Sequence, residues 1–185
     1  MNRKHGPWTI KESELRFRNE FIEVIEDHVI QPDGEPGRYA TVRMKPGVSV
    51  LAVDEEGFAY LARQFRYAVG RESVEVVSGA IDEGEEPRDA ARRELREEAG
   101  IEAGELISLG QLDLDTSIVN CPASLFLARG LRFKETEQEG TENIRVEKMP
   151  LEEAVRRVMQ SEITHGPTCA LILKASSYLK TAASD

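Results

Sequence analysis

Residues 79–101 read Gly-Ala-Ile-Asp-Glu-Gly-Glu-Glu-Pro-Arg-Asp-Ala-Ala-Arg-Arg-Glu-Leu-Arg-Glu-Glu-Ala-Gly-Ile, and this stretch decides the fold. Pro87 suits a first helical position, where its missing N–H is no loss. Asp89 falls in the first turn, as the helix dipole prefers. Good helix formers run on to Ala99, and Gly100 is a natural stop. On this helix Ala91, Leu95 and Ala99 share an apolar face. Glu94, Glu97 and Glu98 fall on a neighbouring face at i, i+3 and i+4, where carboxylates repel one another. Arg92 and Arg96 lie on the far side and could solvate the helix alone, so the acidic stripe is not needed for solubility. A hard divalent cation with oxygen ligands, Mg²⁺ or Mn²⁺, is the physical remedy for carboxylates held this close.

The spacing resembles the box of the Nudix hydrolase family, G-x5-E-x7-R-E-U-x-E-E-x-G-U, with U a bulky aliphatic residue. Gly79, Glu85, Arg93, Glu94, Leu95, Glu97, Glu98, Gly100 and Ile101 occupy every defined position. The resemblance implies a divalent-cation-dependent hydrolase of nucleoside diphosphates linked to another group. It implies Glu94 and Glu98 as leading metal ligands, Glu97 as a third ligand or a water-holder, and the carbonyl of Ser78 as completing the site. Glu85 and Arg93 are expected to pair across the loop–helix junction and to fix the glutamate stripe.

Other residues resemble the subgroup acting on ADP-ribose and other nucleotide sugars. Arg63-Gln64-Phe65-Arg66 is similar to its R-Q-[FY]-R stretch, and Glu75-Val76-Val77-Ser78-Gly79 to its E-x-x-A-G lead-in. Within that resemblance Arg66 is the first candidate for the substrate's phosphates, since a planar guanidinium suits bidentate contact, and Arg63 the second. Arg43 is a further substrate candidate. Trp8, Phe17 and Tyr39 could stack on a base. An acidic loop before a late strand supplies a base or ligand in this subgroup. The matching context, Glu139-Gly140-Thr141-Glu142-Asn143, nominates Glu142 first and Glu139 second. The subgroup's proline about sixteen residues past the box is replaced by Asp115-Thr116-Ser117, and the nearest proline is Pro122. That departure widens the expected substrates from ADP-ribose to GDP-mannose, ADP-glucose and UDP-sugars. Hydrolysis of a dinucleotide polyphosphate or nucleoside triphosphate, and sensing of a nucleotide sugar without cleavage, are the alternatives.

The remaining chain fits one catalytic domain with an appendage. Its 185 residues are 40% hydrophobic and 31% charged, with a formal net charge of −10. Such a surface repels nucleic acid, so no nucleic-acid partner is expected. No apolar run reaches about 18 residues, so no membrane partner is expected and the chain reads as cytoplasmic. Cys121 and Cys169 fit neither a metal spacing nor a disulfide framework. The three histidines, His5, His28 and His165, are scattered, and His165 before Gly166-Pro167 reads as structural.

Strands are expected at Leu15–Phe17, Phe21–Ile30 and Tyr39–Met44, forming a small N-terminal β subdomain over 1–46. That piece is too small to hold a core alone, and the family habit is to pack it across a homodimer. From 47 to 185 the expected strands are Val48–Val53, Phe58–Phe65, Val74–Val77, Leu106–Leu114, Ser124–Ala128 and Ile144–Val146. Expected helices at Leu151–Gln160 and Thr168–Leu179 follow the box helix. This order predicts an α/β/α sandwich around a mixed sheet, which is also the Nudix fold.

Overall fold

The computed structural model describes residues 2–134 and 144–182. Contacts divide the chain into two compact units: residues up to Pro46 with Asp113–Pro122, and Gly47–Leu112 with Ala123 onward.

The first unit is a five-stranded sheet. Strands β1 (Arg3–His5), β2 (Trp8–Arg18), β3 (Ile22–Ile30) and β4 (Pro36–Met44) follow one another in order. The expected strand at Leu15–Phe17 is therefore the end of a longer one. Two irregularities in the β2–β3 register, between Ile10 and Glu12 and between Leu15 and Phe17, break the alternation that would have revealed it. Asn19 closes the β2–β3 turn by accepting hydrogen bonds from the Phe21 and Ile22 amides through Oδ1. A late strand, Val119–Asn120, adds in parallel to the free edge of β4. Tyr39 steadies that return by donating its hydroxyl to the Ser117 carbonyl at 2.5 Å.

The second unit is built on a seven-stranded mixed sheet. Strand β5 (Gly47–Val53) lies at its centre, antiparallel to β6 (Phe58–Arg66) and to β8 (Val77–Ala80). Strand β7 (Arg71–Glu75) pairs with β6. The chain thus changes partners at Val76, passing from β6 to β5, and the single strand expected at Val74–Val77 is two strands. Numbering the short late strand of the first unit β10, the other members are β9 (Ile101–Asp113), β11 (Pro122–Phe133) and β12 (Arg145–Pro150). β11 runs parallel to β5, which makes the sheet mixed.

Alternation along β5 sorts the core onto two faces. Val50 and Ala52, with Tyr60, Phe126 and Ala128, pack against Ala90, Ala91 and Leu95 of helix α1 (Pro87–Ala99). Leu51 and Val53, with Leu61, Leu125 and Leu127, pack against helices α2 (Leu151–Met159) and α3 (Gly166–Ala182). This is the expected α/β/α sandwich. Leu95 is wholly buried, and such burial stabilises by about 2 kcal/mol.

Helix α1 has the expected bounds. Pro87 opens it and Asp89 stands in its first turn. Gly100 closes it in the left-handed region at φ 63°, donating its amide to the Arg96 carbonyl. That turn sends the chain directly into β9, so the strand starts at Ile101 rather than Leu106. Strands β11 and β12 and helix α3 also extend past their expected ends.

Candidate active site

Strand β8 and helix α1 face one another across a cavity of about 250 Å³ lined by Ser78, Gly79, Ala80, Arg93, Glu94, Glu97 and Glu98. The local sequence explains the approach. A Cβ on Gly79 would lie 1.9 Å from Glu94 Cδ and 2.0 Å from its Oε1. Only glycine lets the strand come this near the carboxylate. Glu98, expected on the acidic stripe next to the apolar face, is 5% exposed. Burial of a carboxylate between strand and helix is what distinguishes this wall from a solvated face.

Arg93 frames the carboxylates. Its Nε donates to Glu85 Oε1 at 3.0 Å and its Nη2 to Glu85 Oε2 at 2.9 Å. The expected Glu85–Arg93 pair is thus bidentate. The same guanidinium reaches further: Nη1 donates to Glu94 Oε1 at 2.6 Å and Glu97 Oε2 at 3.2 Å, and Nη2 to the Ala80 carbonyl at 3.0 Å. One cation therefore ties the loop, the strand and the glutamate stripe. The Arg93 hydrogen bonds, with one from the Asp82 amide, hold the Glu85 carboxyl down at about 2.

Behind Ser78, Ser49 of β5 sits directly opposite in register, with the two hydroxyl oxygens 3.0 Å apart. Ser78 Oγ also reaches the Val76 carbonyl at 3.2 Å. The metal-ligand candidates Ser78, Glu94, Glu97 and Glu98 are thus brought together in one cavity. Their donor set is all oxygen and mostly anionic, which fits a hard divalent cation.

The substrate candidates are engaged in pairs. Arg66 clamps Glu75, with Nε at 3.1 Å from Oε1 and Nη2 at 2.5 Å from Oε2. Arg63, the second candidate, donates to Glu147 at 2.5 Å and Glu72 at 3.4 Å. Arg43 and Trp8 belong to the first unit, where Arg43 meets Glu23 at 3.4 Å and Trp8 packs edge-on to Tyr39 with ring centroids 5.5 Å apart. Glu139 and Glu142 lie outside the described residues.

A network at Val76 escaped the sequence reading. Thr168, in the first turn of α3, accepts the Val76 amide at 3.0 Å and meets His165 Nδ1 at 2.9 Å. His165 Nδ1 is 3.5 Å from Glu75 Oε2. Burial pushes the Glu75 carboxyl up, but the Arg66 hydrogen bonds, aided by His165 and Ser73, hold it below its ordinary value. Burial pushes His165 down, Glu75 opposes this and Arg66 reinforces it, leaving it below its ordinary value. His165 has the structural character expected, but its partner is a buried carboxylate. The spacing of about 90 residues between these partners leaves no local signal.

A mixed sheet between helical layers, with a strand–loop–helix cavity walled by carboxylates, defines a cation-dependent phosphate-handling architecture. The model of the NUDIX domain matches residues 43–167, and the chain belongs to the Nudix hydrolase family, whose members generally require a divalent cation. It is 30% identical over 158 residues to the ADP-ribose pyrophosphatase of Bacillus subtilis (strain 168), covering 84% of this chain and 85% of that protein. It is 31% identical over 150 residues to the ADP-ribose pyrophosphatase of Mycobacterium tuberculosis, covering 80% and 72%. It is also 27% identical over 162 residues to the methanol dehydrogenase activator of Bacillus methanolicus, covering 86% and 87%. In fold it matches a crystal structure of an ADP compounds hydrolase with a TM-score of 0.81, at 22% identity, over 97% of this chain and 98% of that one. None of the helices among the described residues is long and apolar enough to cross a membrane.

Proposed function

We propose that this chain hydrolyses the pyrophosphate bond of a nucleoside diphosphate sugar, ADP-ribose or a close analogue, to a nucleoside monophosphate and a sugar phosphate. The observation that carries the reading is the cavity between β8 and α1, where Glu94, Glu97 and Glu98 converge beside Gly79. The two ADP-ribose pyrophosphatases among its relatives support the substrate class.

Glu94, Glu98 and the Ser78 carbonyl would hold Mg²⁺ or Mn²⁺, with Glu97 beside them. The cation supplies Lewis-acid neutralisation of the phosphate oxygens. Arg93 keeps the carboxylates in place while they do so, and its charge offsets their mutual repulsion when no substrate is present. Arg66 and then Arg63 on β6 are the first candidates to receive the diphosphate. Glu142, or failing it Glu139 or Glu97, accepts the proton of the attacking water.

A cytoplasmic homodimer belongs to the same proposal. Leu15, Phe17 and Phe21 of the first unit are 51%, 51% and 68% exposed, large apolar side chains that contact with a second copy would cover. The free thiols of Cys121 and Cys169 suit a reducing compartment. Light scattering of the purified protein should return twice the chain mass; a monomer would refute the dimer.

Incubation with a nucleotide-sugar panel and either cation, followed by mass detection of the monophosphate released, tests the activity. Glu98→Gln should lower kcat by at least about a hundredfold. Turnover within about threefold of wild type would show that the metal assignment is wrong.

A further inference from the structure

We propose that His165 is a positioning residue for substrate binding, holding the Glu75 carboxylate and through it setting the orientation in which Arg66 meets the anionic diphosphate. The proposal rests on the reading that Arg66 receives phosphate.

The geometry runs through three elements of the second unit. Glu75 ends β7 immediately before the chain changes partners, and it is 3% exposed. Its two oxygens accept the Nε and Nη2 edge of Arg66 from β6. A guanidinium bound along one edge has its plane fixed by that partner. Whatever turns the Glu75 carboxylate therefore turns Arg66.

His165 is the group beside that carboxylate from the other helical layer. Its Nδ1 lies 3.5 Å from the same Oε2 that Arg66 Nη2 grips. The imidazole is itself held by Thr168, which is fully buried and fixed by the Val76 amide. With its proton on Nδ1, His165 faces both Glu75 Oε2 and Thr168 Oγ1, and the Thr168 oxygen accepts from Nδ1 and from the Val76 amide through its two lone pairs. The imidazole is thus braced against rigid backbone and in turn limits the positions open to Glu75. Three residues after Glu75 comes Ser78 of the cavity, and a turn of Arg66 alters the hydrogen-bonding edge it offers to a phosphate.

Steady-state kinetics with ADP-ribose and ADP-glucose in Mn²⁺ would test this on the full-length protein. His165→Ala should raise KM about tenfold and leave kcat within about twofold, the signature of lost binding without lost chemistry. His165→Asn, which keeps a hydrogen-bonding atom near the position of Nδ1, should recover most of that loss. In a double-mutant cycle, His165→Ala should add less than about twofold to the KM of Arg66→Ala, since the two act in series. Circular dichroism and the Mn²⁺ dissociation constant of His165→Ala should match wild type.

Effects of His165→Ala and Arg66→Ala that multiply independently would overturn the positioning role. So would a fall in kcat and Mn²⁺ affinity together, which would mark a general loosening of β7 and β8. An unchanged KM in Arg66→Ala would remove both this proposal and the phosphate role of Arg66. A raised KM in Arg66→Ala with none in His165→Ala would remove this proposal alone.

Discussion

Gly79 and Glu94 are packed so closely that a methyl group on the one would overlap the carboxylate of the other. The overlapping atoms are the far end of a flexible side chain, so the backbone need not move to relieve them. Gly79→Ala should therefore fold with a melting temperature within about 2 °C of wild type, while the displaced Glu94 loses its place in the cavity. Misplacing a ligand by about 1 Å can cost about a hundredfold in rate, and kcat should fall by at least that much. Unchanged turnover would mean that Glu94 does not act from its observed position.

Arg93 neutralises carboxylates from both sides of the loop–helix junction. Arg93→Ala leaves Glu85, Glu94 and Glu97 without this shared cation, and should lower stability by about 1–3 kcal/mol in urea unfolding at neutral pH. The deficit should narrow in millimolar Mg²⁺, because a cation in the cavity replaces part of the lost charge. A deficit indifferent to Mg²⁺ would place the repulsion elsewhere.

Acid provides a separate measure of the same pair. Glu85 is held at about 2 in the folded protein, against 4.5 for an ordinary glutamate. Between these values the unfolded chain binds more protons, so the stabilisation is full above the upper one and is lost as pH falls toward the lower. Wild type should therefore exceed Glu85→Gln in urea midpoint near pH 5, and the gap should close as the pH approaches about 2. A gap of constant size over that range would show that the charge of Glu85 contributes nothing.

Thr168 provides the acceptor for the Val76 amide where two strands meet end to end. Thr168→Val keeps the shape and removes the acceptor, stranding a buried N–H. It should lower stability by about 1–3 kcal/mol, whereas Thr168→Ser should cost less because the hydroxyl remains. Equal losses in the two variants would point to the methyl group instead.

The box helix was legible because its signals are local. Pro87, Asp89 and Gly100 act within one or two turns, and the i, i+3, i+4 glutamates declare a shared face without reference to the rest of the chain. The spacing from Gly79 to Ile101 likewise carried the cavity. Glu98 shows where this stops: its position on the helix was plain, but its burial depends on β8, which approaches through Gly79. The break at Val76 was hidden because valines stand on both sides of it, at Val74 and Val77, and pattern alone cannot reveal a change of neighbour. Arg66 was singled out as a phosphate ligand, yet the carboxylate that orients it and the imidazole beside that carboxylate come from distant segments.

The short strand Val119–Asn120 joins the edge of β4 although some 75 residues separate them in the chain. During synthesis the first four strands emerge well before their fifth member exists, and an N-terminal unit ordinarily begins to fold as it emerges. Here β4 must wait, with an open edge, until the box helix and most of the second sheet have been translated. A fragment ending at Pro46 would keep that edge open permanently, and a fragment starting at Gly47 would carry Val119 and Asn120 with no strand to join. The unit is discontinuous, and neither cut yields a complete half.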